Sequence, residues 1–157
     1  MKKFELTNEF IANRFGTKLF RIRALVEFGD VEAGELGGYV EKESNLGHDD
    51  NAWVYGNARV YGDALVCGDA RVCGNGDYAY AHGFGSVNRT TTFFRLKDGG
   101  VGVRCGCFYG TLAQFRDKIR ETHGETKKAQ EYLMLADLME LRFEEDENEV
   151  GNRKYVE

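Results

Sequence analysis

Residues 51–74 read Asn51-Ala52-Trp53-Val54-Tyr55-Gly56, Asn57-Ala58-Arg59-Val60-Tyr61-Gly62, Asp63-Ala64-Leu65-Val66-Cys67-Gly68 and Asp69-Ala70-Arg71-Val72-Cys73-Gly74. These are four consecutive hexads. In each, alanine and valine stand two residues apart, so on an extended backbone both point to the same side. Trp53, Tyr55, Arg59, Tyr61, Leu65, Cys67, Arg71 and Cys73 fall beside them and are expected to face outward. Every hexad closes on glycine followed by asparagine or aspartate, residue types that tolerate left-handed backbone angles and so supply a corner. A short strand and a corner every six residues is the pattern of a parallel β-helix coil.

The pattern extends backwards. Gly38 with Val40 and Ser44 with Leu46 repeat the small-plus-aliphatic pair, and two extra residues near His48, Asp49 and Asp50 make a small loop. These hexads resemble the left-handed β-helix of hexapeptide-repeat proteins, in which three hexads make one coil around a triangular core. The resemblance implies a left-handed winding and a stacking of Val40 on Val60, Leu46 on Val66 and Val54 on Val72. It also implies Trp53 over Arg71, in reach of a cation–π contact, and Tyr55 over Cys73. The expected fold class is therefore mainly β with C-terminal α. It comprises a short parallel, left-handed β-helix of about two coils, an N-terminal β-strand cap and a C-terminal ββαα unit. Such a stub has open ends, and solenoids need capping.

Four segments follow: an N-terminal β cap over 1–33, the hexads over 34–88, the ββαα unit over 89–145 and a charged, frayed tail over 146–157. In the cap, Phe20, Ile22, Ala24 and Val26 alternate with Leu19, Arg21, Arg23 and Leu25, a half-buried strand. Residues 14–18 contain Gly16 and read as a hairpin turn. Residues 78–88 read as an irregular final coil or a crossing loop. A strand over 90–96, a turn at Asp98-Gly99 and a partner strand over 101–108 form a hairpin. On that partner Val101, Val103, Cys105 and Cys107 share a face, which reads the two cysteines as small core residues. Thr111 with Gln114 matches a capping box and opens a helix that His123-Gly124 ends. A second helix over 126–143 carries Tyr132, Leu133, Leu135, Ala136, Leu138, Met139 and Phe143 on its apolar face.

Composition narrows the function. The chain has 157 residues, 42% hydrophobic and 30% charged, with a formal charge of −5. That balance argues against nonspecific nucleic-acid binding, which needs a basic patch. Twenty glycines, no proline and 13% aromatic residues describe a fold of many tight corners rather than a disordered chain. No apolar run suits a membrane span, and residues 1–9 lack the apolar core of a signal peptide, so a cytoplasmic place and no membrane partner are expected. Reduced thiols are then the expectation for the four cysteines, and the Cys105-x-Cys107 spacing does not offer the paired ligands of a zinc site. No metal and no cofactor is expected.

Hexapeptide-repeat proteins are best known as trimeric acyltransferases with a histidine base. The three histidines are His48 in the inserted loop beside Asp49 and Asp50, His82 after the hexads, and His123 at a helix end. A base needs an orienting carboxylate and a substrate groove, which two coils scarcely provide. No P-loop, nucleophile elbow, His-Glu-x-x-His or dinucleotide fingerprint occurs, so no catalytic residue is assigned. The outward residues carry more information. Tyr39, Trp53, Tyr55, Arg59, Tyr61 and Arg71 are of the types enriched in binding hot spots, and they form the expected binding ladder on a flat wall. The alternative is that this wall is covered by the C-terminal unit or by a trimer partner.

A wider resemblance rests on Arg21–Leu25, Phe28–Gly38, Asn51–Gly56, Lys97–Gly100 and Cys105–Phe108. Together these are similar to a class of uncharacterised phage and prophage proteins. The resemblance implies a phage accessory protein of the bacterial host cytoplasm and brings no catalytic residue with it; the expected function is non-enzymatic, the binding and inhibition or sequestration of a host component. The expected partner is a host protein, such as a defence nuclease, or a small nucleotide signal. A trimeric acyltransferase and a virion structural or assembly protein are the alternatives. Partner identity and oligomeric state stay open at this point.

Overall fold

The computed structural model describes residues 2–85 and 89–144. The charged tail expected at 146–157 lies outside the described residues. The chain opens with β1 (Phe4–Ala12) and β2 (Lys18–Ala24), followed by β3 (Leu36–Val40). The hexads contribute three two-residue strands, β4 (Trp53–Val54), β5 (Arg59–Val60) and β6 (Arg71–Val72). Then come β7 (Tyr78–Phe84), β8 (Arg89–Arg95), β9 (Val101–Cys105) and β10 (Phe108–Thr111). Two helices finish the described chain, α1 (Leu112–His123) and α2 (Lys127–Phe143).

The expected left-handed β-helix is corrected by the sheet topology. Among the described residues a mixed four-stranded sheet runs β1-β2-β3-β5, an antiparallel four-stranded sheet runs β10-β9-β8-β7, and β4 and β6 form a two-stranded sheet. The hexads enter this arrangement as short parallel pairings, Tyr39–Val40 with Arg59–Val60 and Trp53–Val54 with Arg71–Val72, plus a single bridge between Leu46 and Val66. Stretches of two residues cannot bury enough surface to stand as a domain of their own. Long antiparallel strands before and after them carry the architecture instead.

Within the hexads the inward reading holds residue by residue. Ala52, Ala58, Ala64, Ala70, Val54, Val60, Val66 and Val72 are all buried. Gly56, Gly62 and Gly68 take φ of 59°, 67° and 66°, the left-handed corners that only glycine adopts freely. The fourth corner differs. Gly74 is extended at φ −155°, and a 3-10 turn over Asn75–Asp77 follows it. The Asp77 carboxylate accepts the N–H groups of Cys73 and Gly74, and this turn redirects the chain into β7. Residues 78–84 are thus a regular strand paired along β8, not an irregular coil, and the C-terminal unit has four strands rather than two.

Two cores result. The first joins β1, β2 and the hexads, with Phe4, Ile22, Trp53, Val60 and Phe94 among its members. The second lies between the antiparallel sheet and the helices and contains Phe93, Val103, Phe115, Tyr132 and Met139. Strand β8 serves both, because successive side chains on a strand point to opposite faces. In β2, Leu19 is fully buried and Phe20 only half-buried, against the simple alternation. The β1–β2 register shifts between Leu6 and Phe10, and Phe20 packs on Phe10 instead, with ring centroids 5.9 Å apart.

Both helices start as the capping residues dictate. The Thr111 hydroxyl accepts the Gln114 N–H at 3.2 Å, while the Gln114 side chain accepts the Thr111 N–H at 2.9 Å. The Thr126 hydroxyl accepts from Ala129. On α2 the buried residues are Ala129, Tyr132, Leu135, Ala136, Met139 and Phe143, whereas Leu138 is exposed rather than part of the apolar face. Cys107 is also exposed, because β9 ends at Cys105 and Gly106, at φ 60°, turns the chain. No helix among the described residues is long and apolar enough to cross a membrane.

Candidate contact face and cavities

The six expected binding residues do not form one ladder. Trp53 is fully buried, covered by Phe4 (ring centroids 6.3 Å apart) and Phe28 (5.2 Å) in edge-to-face packing. The covering layer comes from the chain's own N-terminal segment, not from its C-terminal unit. Gly37 makes room for the indole, since a Cβ there would fall 2.8 Å from Trp53 Cζ2. Arg71 is therefore not stacked on Trp53. Its guanidinium lies over the Tyr55 ring at 4.9 Å from the centroid.

Tyr39 is also structural. It is 8% exposed, and Arg21 stacks on its ring at 4.4 Å while donating to its hydroxyl at 2.6 Å. The same guanidinium donates to the Gly37 carbonyl at 2.7 Å and pairs with Glu9. These bonds tie β2 to β3.

Tyr55 and Arg71 share a groove of about 550 Å³ with Asp30, Asp69, Lys97 and Asp98. Burial pushes the Tyr55 phenol up, with Arg71 opposing. Lys97 pairs with Asp30 at 3.1 Å, so charges of both signs already meet there.

Arg59 and Tyr61 line a different cleft, of about 370 Å³, together with Arg14, Phe15, Leu19 and Asn75. None of its lining residues is a carboxylate. Phe15, at the tip of the β1–β2 hairpin, is 86% exposed. The turn that holds it is built by Asn13, whose side-chain oxygen accepts the N–H of Phe15 at 2.9 Å and of Thr17 at 3.0 Å. Gly16 follows at φ 83°. The hexad side is fixed as well, with the Arg59 N–H donating to Asn75 Oδ1 at 2.9 Å. The sequence reading placed the hairpin turn but passed over Arg14 and Phe15. A large aromatic beside glycine in a tight turn was the available signal, since nothing in such a turn can bury it.

The histidines are mostly engaged in structure. His48 stacks on Phe4 at 4.3 Å, and its Nδ1 accepts the Lys3 N–H at 3.1 Å. That lone pair is thereby unavailable to a substrate proton. Nε2 lies 3.9 Å from Glu43 Oε2. Beneath it the Lys3 ammonium donates to the carbonyls of Ala52 (2.6 Å) and Asp50 (3.0 Å) and to Asp50 Oδ1 (3.2 Å). Burial pulls the Lys3 pKa down, with Asp50 opposing. His82 Nδ1 sits 2.7 Å from the Thr90 hydroxyl across the β7–β8 pair. His123 stacks on Tyr132 at 6.0 Å and lines a cavity at the end of α1. Among the described residues no three His, Cys, Asp or Glu side chains converge as metal ligands would.

Comparison with known proteins gives one partial likeness. Over 62 residues the chain is 37% identical to the uncharacterized acetyltransferase YdcK of Escherichia coli strain K12. The match covers 35% of this chain and 19% of that protein, so the chain spans about a fifth of the relative's length. No family model matches the chain, and no solved structure matches it.

Proposed function

We propose that this chain is a binding protein whose contact face is the cleft between the β1–β2 hairpin tip and the hexad residues Arg59 and Tyr61. The exposure of Phe15 carries the reading. An aromatic side chain held in solvent by an ordered turn, flanked by Arg14, Arg59 and Tyr61, joins an apolar anchor to two cations. Its partner is a protein surface with a small apolar pocket rimmed by carboxylates. The turn is already ordered, so little entropy is lost on docking. In keeping with the resemblance to phage accessory proteins, the partner is a host protein, and occupancy of its surface inhibits it.

Affinity capture from bacterial lysate, with bound proteins identified and then titrated in purified form, tests this. Phe15→Ser combined with Arg59→Glu should weaken the purified pair at least tenfold with an unchanged circular dichroism spectrum. Undiminished binding by that variant overturns the assignment of the face.

Acyl transfer is the second reading, and the partial similarity to YdcK favours it. Thioester release from short-chain acyl donors in the presence of a panel of hydroxyl and amine acceptors would support it. Failure across donors and acceptors would leave the binding reading alone.

A further inference from the structure

The antiparallel sheet, α1 and Tyr132 of α2 line an open pocket of about 610 Å³, separate from the hairpin cleft. Its apolar wall is Phe108, Phe115 and Ile119. Arg89 reaches it from β8, and Lys118 and His123 reach it from α1. None of the lining residues is a carboxylate, although the chain as a whole carries −5. A volume of this size suits a small molecule bearing both a flat apolar body and an anionic group.

We propose that this cavity binds a small organic phosphate carrying a planar ring, of mononucleotide size. Two cationic side chains, Arg89 and Lys118, can donate charge-assisted hydrogen bonds to one phosphate, with the His123 ring beside them, and arginine supplies a fork that matches its oxygens. Arg89 has a prepared seat. Gly106, in the β9–β10 turn, takes φ 60°, and a Cβ there would collide with the Arg89 guanidinium. His123 is oriented by its stacking on the buried Tyr132 ring, at an interplanar angle of 25°. Two of the carbonyls at the end of α1, which would repel an anion, already accept backbone N–H groups. Gly124 donates to Arg120 at 2.9 Å and Thr126 donates to His123 at 3.2 Å. The Tyr132 hydroxyl lies 3.8 Å from Cys105 Sγ, and burial raises its pKa to about 12, so it remains a neutral hydroxyl at any ordinary pH. The ring of the ligand would lie against Phe108 and Phe115, whose centroids are 5.9 Å apart.

Calorimetric titration with AMP tests the assignment, with adenosine and inorganic phosphate as separate arms. AMP should bind saturably at one site per chain and at least tenfold more tightly than either part. Arg89→Gln and Lys118→Gln should each weaken AMP at least fivefold, whereas Arg142→Gln, at an exposed position of α2, should not. Lys118 is exposed, so its variant keeps the test clear of misfolding. AMP should also slow alkylation of Cys107. Absence of saturable binding, equal affinity for phosphate and AMP, or indifference to both cationic substitutions would overturn the proposal. Because Phe15 and Arg59 lie elsewhere, AMP binding should persist in the Phe15→Ser, Arg59→Glu variant, so this test and that of the contact face can fail separately.

Discussion

Phe93 and Phe94 are adjacent on β8, both fully buried, and belong to different cores. Phe93 packs edge-to-face on Phe115 of α1 at 6.0 Å, and Phe94 joins the valines of the hexads. One strand therefore transmits the loss of either core to the other. Phe93→Ala and Phe94→Ala should each cost about 3–5 kcal/mol. Both should shift a single urea transition, followed by tryptophan fluorescence and far-ultraviolet circular dichroism together. Separate transitions for the two probes would show that the cores unfold independently.

The corner glycines offer a controlled comparison. Gly56 and Gly68 have similar positive φ, 59° and 66°. An added Cβ at Gly56 meets only the Cys73 carbonyl, 4.0 Å away, whereas at Gly68 it collides with the Tyr109 ring. Gly56→Ala should cost about 1–2 kcal/mol, the backbone strain alone. Gly68→Ala should cost distinctly more, because it also displaces Tyr109, whose hydroxyl accepts the Asp69 N–H at 3.0 Å. Melting temperatures of the two variants would rank them.

Alkaline pH should weaken the fold through Cys67. Burial pushes this thiol from its ordinary 9.0 up to about 11. The folded chain then holds a proton that the unfolded chain releases first, so this contribution is complete below pH 9 and lost as pH rises through 11. Its size is about 2–3 kcal/mol. Lys3 acts in the opposite sense. Burial lowers its folded pKa below 10.5, so the unfolded chain binds the extra proton and stability rises with pH across that interval. The difference between wild type and Cys67→Ala isolates the thiol, and the variant should lose less stability between pH 8.5 and 10.5.

Thr111→Ala and Thr126→Ala should each cost about 1 kcal/mol by removing a helix cap. Restoration by serine at the same position, read in urea midpoints, would separate the capping bond from packing.

The hexad core was legible because a six-residue period announces which side chains face inward. The parallel partners Val40 and Val60, Leu46 and Val66, and Val54 and Val72 follow from counting along the chain. The sheets that dominate the fold were not legible in that way. Residues 78–84 alternate large and small side chains, Tyr78, Tyr80, His82 and Phe84 against Ala79, Ala81 and Gly83, but with no polar-to-apolar contrast between the two faces, and the glycines around them read as a loop; pairing with Arg89–Phe94 makes them a strand. The helix starts at Thr111 and Thr126 were readable because capping is local. The burial of Trp53 was not, since it depends on Phe4, remote in sequence and brought there by the β1–β2 pairing. Arg59 and Tyr61 stayed on the surface, but Arg14 and Phe15, which complete their cleft, come from a hairpin that hexad counting cannot reach.

The placement of β8 has a bearing on synthesis. As the polypeptide leaves the ribosome, the first sheet and the hexads emerge while the seat of Phe94 stands empty, its valines open to water. Ribosome-stalled chains with β8 still inside the exit tunnel should consequently recruit holdase chaperones, and release should follow only once β8 and the elements that cover Phe93 have emerged.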